Sequence, residues 1–312
     1  MGNIVVVGSA NTDMILKCER LPGAGETILG GEFAIAAGGK GANQAVAAAR
    51  LGADVTFVTR LGHDWMGNQA LENYRAEGIH CEYITRDDKA ASGVALIMVD
   101  ARAENLIGVA PGANGTLEPK HVEQAEEAIC QASVLMVQLE IPLETVEAAI
   151  RLARKHNVRV ILNPAPARKL PIQLIQGVIL TPNETEAGIV SGIDTTTSDG
   201  IAHAARKLLA QGADQVIVTL GEQGALFATR DQTEPIPAFH VQAVDTTAAG
   251  DAFNGGLACA LAHGANVLQA VRYGSAVAAL SVTKFGAQSS LPNQNEVEVF
   301  LRSQILEKRV LD

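Results

Sequence analysis

The sequence predicts an α/β fold: a doubly wound, mostly parallel sheet with helices on both faces and a small β-sheet lid. Three observations point there. Near-continuous apolar runs such as IVVVG at 4–8, VLMVQLE at 134–140 and QVIVTLG at 215–221 alternate with helical stretches, the pattern of strands covered on both faces. Polar residues gather where those strands end. Two blocks, 14–36 and 92–110, interrupt the alternation with short strand-like segments, as a separate sheet would.

The first strand, 4–8, runs into SANTD. Gly8 lacks the GxGxxG spacing of a dinucleotide fold, so that reading is rejected. Asn11 and Asp13 remain as two short polar side chains beyond a strand end, where α/β proteins place ligands. An Asx-type turn is the competing reading. MILKCERLP and ETILGGEFAIA then read as short strands within 14–36. GGKG at 38–41 fails as a P-loop, because Gly41 follows the lysine and the GxxxxGK[ST] spacing is missing. It reads as a glycine turn into a helix from Ala42 to Leu51, closed by Gly52. The glycines let main chain approach a ligand that Lys40 and Asn43 can hydrogen-bond; a close strand–helix contact is the alternative.

From residue 54 the pattern is regular. A strand is expected at 54–62 and a helix at 67–78. A hairpin at 92–110 turns near DARAEN, and an amphipathic helix covers 117–132. Strand 134–140 ends on Glu140, helix 143–157 follows, and a strand spans 158–166. Another strand opens at 178, with Asn183 and Glu186 after it. Then come a helix at 199–213 and strands at 215–221, 224–230 and 237–244. The C-terminal part closes with a helix at 295–308. Asn11, Asp13, Glu140, Asn163, Asn183, Glu186, Thr219, Asp245 and Asp251 all fall at or just past expected strand ends, which share one edge in an open sheet.

DTTAAGDAFNGG at 245–256 joins the expected strand 237–244 to a small-residue helix. Amides of a first helical turn, with the helix dipole, favour an anion there. Ala248, Ala249 and Gly250 add no bulk. Asp251 at the mouth of such a nest suits a hydroxyl that must lose its proton while attacking phosphorus. A plain N-cap is the competing reading.

Composition narrows the field. The 312-residue chain is 47% hydrophobic, with net charge −10 and no basic block, which argues against nucleic acid or an anionic membrane surface as partner. One Trp and three Tyr give no platform for bases. Four scattered cysteines lack metal spacing and read as thiols of a reducing compartment. No leader pattern precedes IVVVG, Val6 stands where a myristoylation signal needs Ser or Thr, and no run nears the ~20 apolar residues of a membrane span. A soluble cytoplasmic protein is expected.

GGKGANQAVAAARLG at 38–52 and DTTAAGDAFNGG at 245–256 are joined, in order, by NPAPAR at 163–168, TPNETEA at 181–187 and VTLGEQGA at 218–225. With these segments the chain resembles the ribokinase-like carbohydrate kinase family over essentially its whole length. The resemblance implies one kinase domain over 1–312, with a lid at about 10–38 and 92–110 that also forms a homodimer interface. It implies ATP-dependent phosphorylation of D-ribose at the 5-hydroxyl. It assigns Asn11, Asp13, Gly39, Lys40, Asn43 and Glu140 to the sugar and makes Asp251 the general base. Main-chain amides from Ala248, Ala249 and Gly250 to Asp251 become the anion hole. ATP falls to Asn183, Thr219, Gly221, Gly224 and Gly250, with Ser275 near adenine where many relatives carry His or Asn. Asn183 and Glu186 organise Mg²⁺ through water. Asp245 and the Thr247 carbonyl, with Ser281, Lys284, Gly286 and Ser290, hold a monovalent cation such as K⁺. Thr246-Thr247 departs from the apolar residue often found second in that segment. A same-fold kinase for 2-deoxyribose, a ketosugar or a nucleoside is one rival, and a catalytically idle sugar sensor another. Intact Asp251, Gly250, Asn183 and Glu186 speak against the sensor.

Overall fold

β1 (Asn3–Val7) is apolar enough to be buried on both faces, and the molecule is layered about it. Val5 and Val7 enter one hydrophobic core while Ile4 and Val6 enter the other, as the two-residue period of a strand requires. The computed structural model describes residues 2–102 and 104–311, with side-chain surroundings as far as 304.

Just after β1 the chain leaves the body as β2 (Asn11–Lys17), returns as β3 (Glu32–Gly38) and enters α1 (Lys40–Arg50) through Gly39. β4 (Asp54–Gly62), α2 (Trp65–Ala76) and β5 (Ile84–Asp87) follow, then a second excursion, β6 (Gly93–Val99) and β7 (Asn105–Ala110). The middle of the chain runs through α3 (Pro119–Gln124), α4 (Glu126–Gln131), β8 (Val134–Val137), α5 (Leu143–Lys155), β9 (Arg159–Leu162), α6 (Ile172–Ile175) and β10 (Ile179–Leu180). α7 (Glu184–Ser191), α8 (Ser198–Ala210), β11 (Gln215–Thr219), β12 (Ala225–Ala228) and β13 (Thr233–Ile236) lead to α9 (Ala249–Ala262), α10 (Val267–Ser281) and α11 (Gln294–Leu311).

The main sheet has nine strands in the order β13-β12-β11-β10-β9-β8-β1-β4-β5. Every neighbouring pair from β5 to β11 is parallel, and only β12 and β13 add antiparallel pairs at one edge. This is the doubly wound fold the apolar runs predict. On one face α1, α9 and α10 pack closely because their contacts are small: a Cβ at Gly255 would strike Ala47, and one at Gly256 would strike Val277 and Gly274.

The excursions form a separate four-stranded sheet, β3-β2-β6-β7, with a parallel β2–β6 pair at its centre. Its base is buried against the body at Asn11, Asp13, Gly38, Gly93 and Ala95, while all of β7 is exposed. Where short strands are expected in 14–36, β2 and β3 are instead two seven-residue strands. Pro22, Gly23, Gly25, Gly30 and Gly31 all fall between them. The β6–β7 turn is closed by Asp100 Oδ1, which accepts from Arg102 N and Glu104 N; residue 103 of the expected DARAEN turn lies outside the described residues.

Three further expectations are corrected. The helix at 117–132 breaks at Ala125, whose amide bonds back to Val122 O and whose side chain is fully buried. Segment 237–244 is not a strand. Pro237 has no N–H to add to a ladder, pairing ends at β13, and the segment runs irregularly beside a cavity. Asp245 therefore follows a loop rather than a strand. Asn11 and Asp13 open β2 instead of lying in a loop after β1. Among the described residues no helix is long and apolar enough to cross a membrane.

Candidate active site

Asp251 sits in the first turn of α9, buried, and it does not cap its own helix. The N-cap is Ala248, held in the left-handed region at φ 59° and ψ 14° without a side-chain cap, a conformation uncommon for a residue with a Cβ. The Asp251 carboxylate is instead gripped from α1. Asn43 Nδ2 donates to Oδ2 at 2.9 Å and Gln44 Nε2 to Oδ1 at 3.0 Å. Gln44 Oε1 in turn accepts from Gln138 Nε2 at 2.6 Å. Burial pushes the Asp251 pKa up; Lys40 and the two amide donors oppose that rise, and Glu140 adds to it.

The glycine turn before α1 places its neighbours by close approach. Gly39 has φ 90°, and a Cβ there would run into Asn11 N and Ala10. A Cβ at Gly41 would strike Gly8 and Ser9. The two readings of GGKG are therefore compatible: the glycines pack against the end of β1, and that packing brings Lys40 over the cleft. Glu140 Oε2 accepts from Lys40 N at 3.0 Å and from Ser9 Oγ at 2.5 Å. Asp13, on the buried base of β2, has its pKa raised to about 6 by burial, then by Glu140 and Asp251. Burial acts to lower the Lys40 pKa, but Asp251, Glu140 and Glu186 outweigh it and the net direction is up. Four carboxylates, Asp13, Glu140, Glu186 and Asp251, thus act on one another and on the Lys40 ammonium as one electrostatic cluster.

Two cavities meet at the start of α9. The first, about 490 Å³, is walled by Phe239, Val241, Phe253, Ser275, Ala279 and Val282 among others. The second, about 430 Å³, is polar and includes Lys40, Asn183, Glu186 and Asp251. Thr219, Gly221, Thr246, Ala249 and Gly250 line both. A Cβ at Gly250 would meet nothing within 4 Å, so open space lies beside the first turn of the helix at that residue. Gly224 lines the first cavity, and its φ of 96° and tight contact with Ile236 O also exclude a side chain.

Residues 1–294 match the model of the pfkB family carbohydrate kinases. The chain belongs to that family. It is similar to a ribokinase of Haemophilus influenzae, 43% identical over 299 residues and covering 96% of this chain and 98% of that one. A deoxyribokinase of Salmonella typhimurium is 41% identical over 301 residues, covering 96% and 98%. The solved structure of Arabidopsis thaliana ribokinase complexed with ribose and ATP matches with a TM-score of 0.91 at 34% identity, covering 96% and 99%. As a pfkB carbohydrate kinase the chain needs a sugar, a nucleotide and a place where the two meet.

The donors expected to organise magnesium form a capping box on α7. Asn183 Oδ1 accepts from Glu186 N at 2.8 Å, and Glu186 Oε2 accepts from Asn183 N at 2.9 Å. Glu186 keeps a second oxygen at the polar cavity. Burial raises its pKa; the Asn183 amide and Lys40 oppose the rise, and Asp251 adds to it. Among the described residues no group of three or more His, Cys, Asp and Glu could hold a metal ion. Hard oxygen donors of this kind fit Mg²⁺ that keeps several waters.

Asp245 ties the segment before α9 to the loop after α10. Its Oδ2 accepts from Gly286 N at 2.8 Å, and its Oδ1 from Thr247 N and Oγ1 at 2.9 and 2.6 Å. Burial would raise its pKa, but the Thr247 and Gly286 donors prevail and hold it down, with Lys17 assisting. Ser281 and Ser290 are fully buried nearby in sequence, their hydroxyls donating to Ala278 O and Ala287 O. The Lys284 Nζ pairs with Glu296 at 2.6 Å, and since an ammonium offers a cation no lone pair, this residue can serve the set only through its main-chain carbonyl.

Sequence reasoning missed Gln44, Gln138, Asn114 and Asn254. Asn254 bridges Thr181 Oγ1 and Gly250 O. It also missed the cavity wall 238–243, whose period-two pattern of apolar residues imitates a strand.

Proposed function

We propose that this protein transfers the γ-phosphoryl group of ATP to the 5-hydroxyl of D-ribose. The observation that carries the reading is Asp251: a buried carboxylate, aimed by two amides, at the start of the helix where the two cavities meet. Its role is general base. It accepts the 5-hydroxyl proton as that oxygen attacks the γ-phosphorus and the bond from that phosphorus to the β,γ-bridging oxygen breaks; ADP is the leaving group, and Asp251 then gives the proton to solvent. Amides of Gly250 and Asp251 take up charge on the transferred group, beside the Ala249 amide, which donates to Thr246 O at 3.2 Å. The apolar cavity suits adenine, with Phe239, Phe253 and Ser275 on its wall. Asn11, Asp13, Lys40 and Glu140 hold the sugar, and Asn43 joins them through Asp251. Asn183 and Glu186 would hold Mg²⁺ through water, which supplies charge neutralisation on the phosphates. Asp245, the Thr247 carbonyl and the 281–290 loop would hold K⁺. The whole chain acts as one kinase domain in the cytoplasm, the small sheet serving as its lid and homodimer surface.

A 2-deoxyribose kinase is the reading to separate, since a relative of nearly equal identity is named for that sugar. The polar pair Asn11 and Asp13 favours ribose: a pocket built for a 2-hydroxyl leaves such groups unpaired without it, at about 1–3 kcal/mol each. The test is direct competition of the two sugars with ATP, Mg²⁺ and K⁺. A preference for ribose of roughly 10- to 100-fold in kcat/KM is expected; equal use would overturn it, and no turnover of any sugar would overturn the kinase reading.

A further inference from the structure

The small sheet joins the body where β1 passes into β2, and one side chain bridges that junction. Asn114, from the turn after β7, is 1% exposed. Its Oδ1 accepts from Ala10 N at 2.9 Å, while its Nδ2 donates to Ala10 O at 3.1 Å and to Asn11 Oδ1 at 2.7 Å. The backbone settles the orientation of both amides. Ala10 N–H can only donate, so the atom facing it must be oxygen, and the other end of Asn114 must be nitrogen. That nitrogen can only donate, so Asn11 must face it with oxygen. Asn11 Nδ2 is left pointing elsewhere, and among the described residues no acceptor meets it. A Cβ at Gly93 would clash with Asn114 Nδ2 and Asn11 Oδ1 together, so that glycine keeps the bridge open.

We infer that Asn114 is a positioning residue that fixes Asn11 as a hydrogen-bond donor toward the sugar. The sequence allowed Asn11 to serve as donor or acceptor; the bridge removes that choice. A sugar hydroxyl at this point accepts from Asn11 Nδ2 and gives its own proton to an acceptor such as the Asp13 carboxylate, which only accepts when ionised. The donor and the acceptor therefore read one hydroxyl from two sides. The inference rests on the ribose reading above.

Asn114→Asp tests it. The variant keeps the shape and the acceptor for Ala10 N, but sets a carboxylate oxygen against both Ala10 O and Asn11 Oδ1, of which only the Asn11 amide is free to turn. The Asn11 amide is then driven to turn its oxygen to the sugar. Expected is a fall in kcat/KM for ribose of roughly 10- to 100-fold, a smaller fall for 2-deoxyribose, and a KM for ATP within about twofold of wild type. Equal losses for both sugars, or no loss, would overturn the inference and leave Asn114 a structural strut. Should Asn114→Asp not fold, Asn11→Asp at pH 8 decides the matter, because it preserves every hydrogen bond of Asn114. Loss of ribose affinity with unchanged melting temperature supports a donor at position 11; retained affinity shows an acceptor there and overturns the inference. Asn11→Ala separates the two readings. If it changes nothing for either sugar, the ribose reading fails at this residue as well; if it weakens ribose while Asn114→Asp does not, only the positioning role fails.

Discussion

Gln44 Nε2 donates to Asp251 Oδ1 at 3.0 Å, so the carboxylate we assign as base is held by a side chain of another helix. A donor to a carboxylate favours its charged form. Gln44 thereby opposes the burial that raises the Asp251 pKa. Gln44→Leu removes that donor, and the acid limb of the kcat profile should move to higher pH, since the base must be deprotonated to act. Asp251→Asn should keep nucleotide binding and lower kcat by roughly 10²–10⁴-fold. Steady-state kinetics across pH 5–9 checks both; an unmoved limb in Gln44→Leu would detach it from the base.

Asp13 carries the clearest pH signature. Its pKa is raised to about 6 from 3.8, mainly by burial. A raised pKa means the folded protein prefers the protonated acid. That stabilisation is full below pH 3.8 and is lost as pH rises through about 6. Above that window the ionised group costs about 3 kcal/mol relative to its neutral form. Asp13→Asn should therefore raise the unfolding free energy of the unliganded protein at pH 8 by up to that amount, measured in urea. The same change removes an acceptor from the sugar, so KM for ribose rises. In the wild type, KM for ribose should rise as pH falls below about 6.

A monovalent ion should activate the enzyme through the Asp245 segment. The Oδ2 bond to Gly286 N joins that segment to the 281–290 loop, and an ion held between them would steady the start of α9. Exchanging K⁺ for tetramethylammonium at constant ionic strength should lower kcat at least roughly tenfold, a barrier change of about 1.4 kcal/mol. Equal rates in the two salts would remove the ion from the mechanism.

The small sheet should pair two copies of the chain. By strand register Phe33, Ile35, Leu96 and Leu106 share one face, and they are 62%, 50%, 58% and 61% exposed. An apolar face of that kind marks an interaction surface, and a second copy would also cover the exposed edges. Sedimentation should give a dimer at micromolar concentration, and Leu96→Asp with Leu106→Asp should give a folded monomer. A monomeric wild type would refute the assembly.

Much of this site is legible in the residues because the backbone constrains it. Gly39 is required by a positive φ and a close approach, and the small residues 248–250 by open space beside the first helical turn; such demands leave glycine and alanine in the sequence. The parallel core is legible for the same reason, since strands buried on both faces read as unbroken apolar runs. Gln138 and Asn114 leave no such trace. Each is a buried amide whose partner lies 94 or 103 positions away, and pattern along the chain carries no information on that distance. The 237–244 segment misleads because alternation describes side chains, whereas strand formation needs a partner edge, and Pro237 denies it one.

β2 has a mechanical consequence of its own. Asn11 and Asp13 stand at its base, and Lys17 at its far end has its amine 5.3 Å from the ring centre of Phe285. A strand rises about 3.3 Å per residue, so the far end is roughly 20 Å from Asn11. The strand has the proportions of a lever pivoting at Asn11 and Asp13: a tilt of a few degrees there would swing the tip by about an ångström against the loop that carries Gly286.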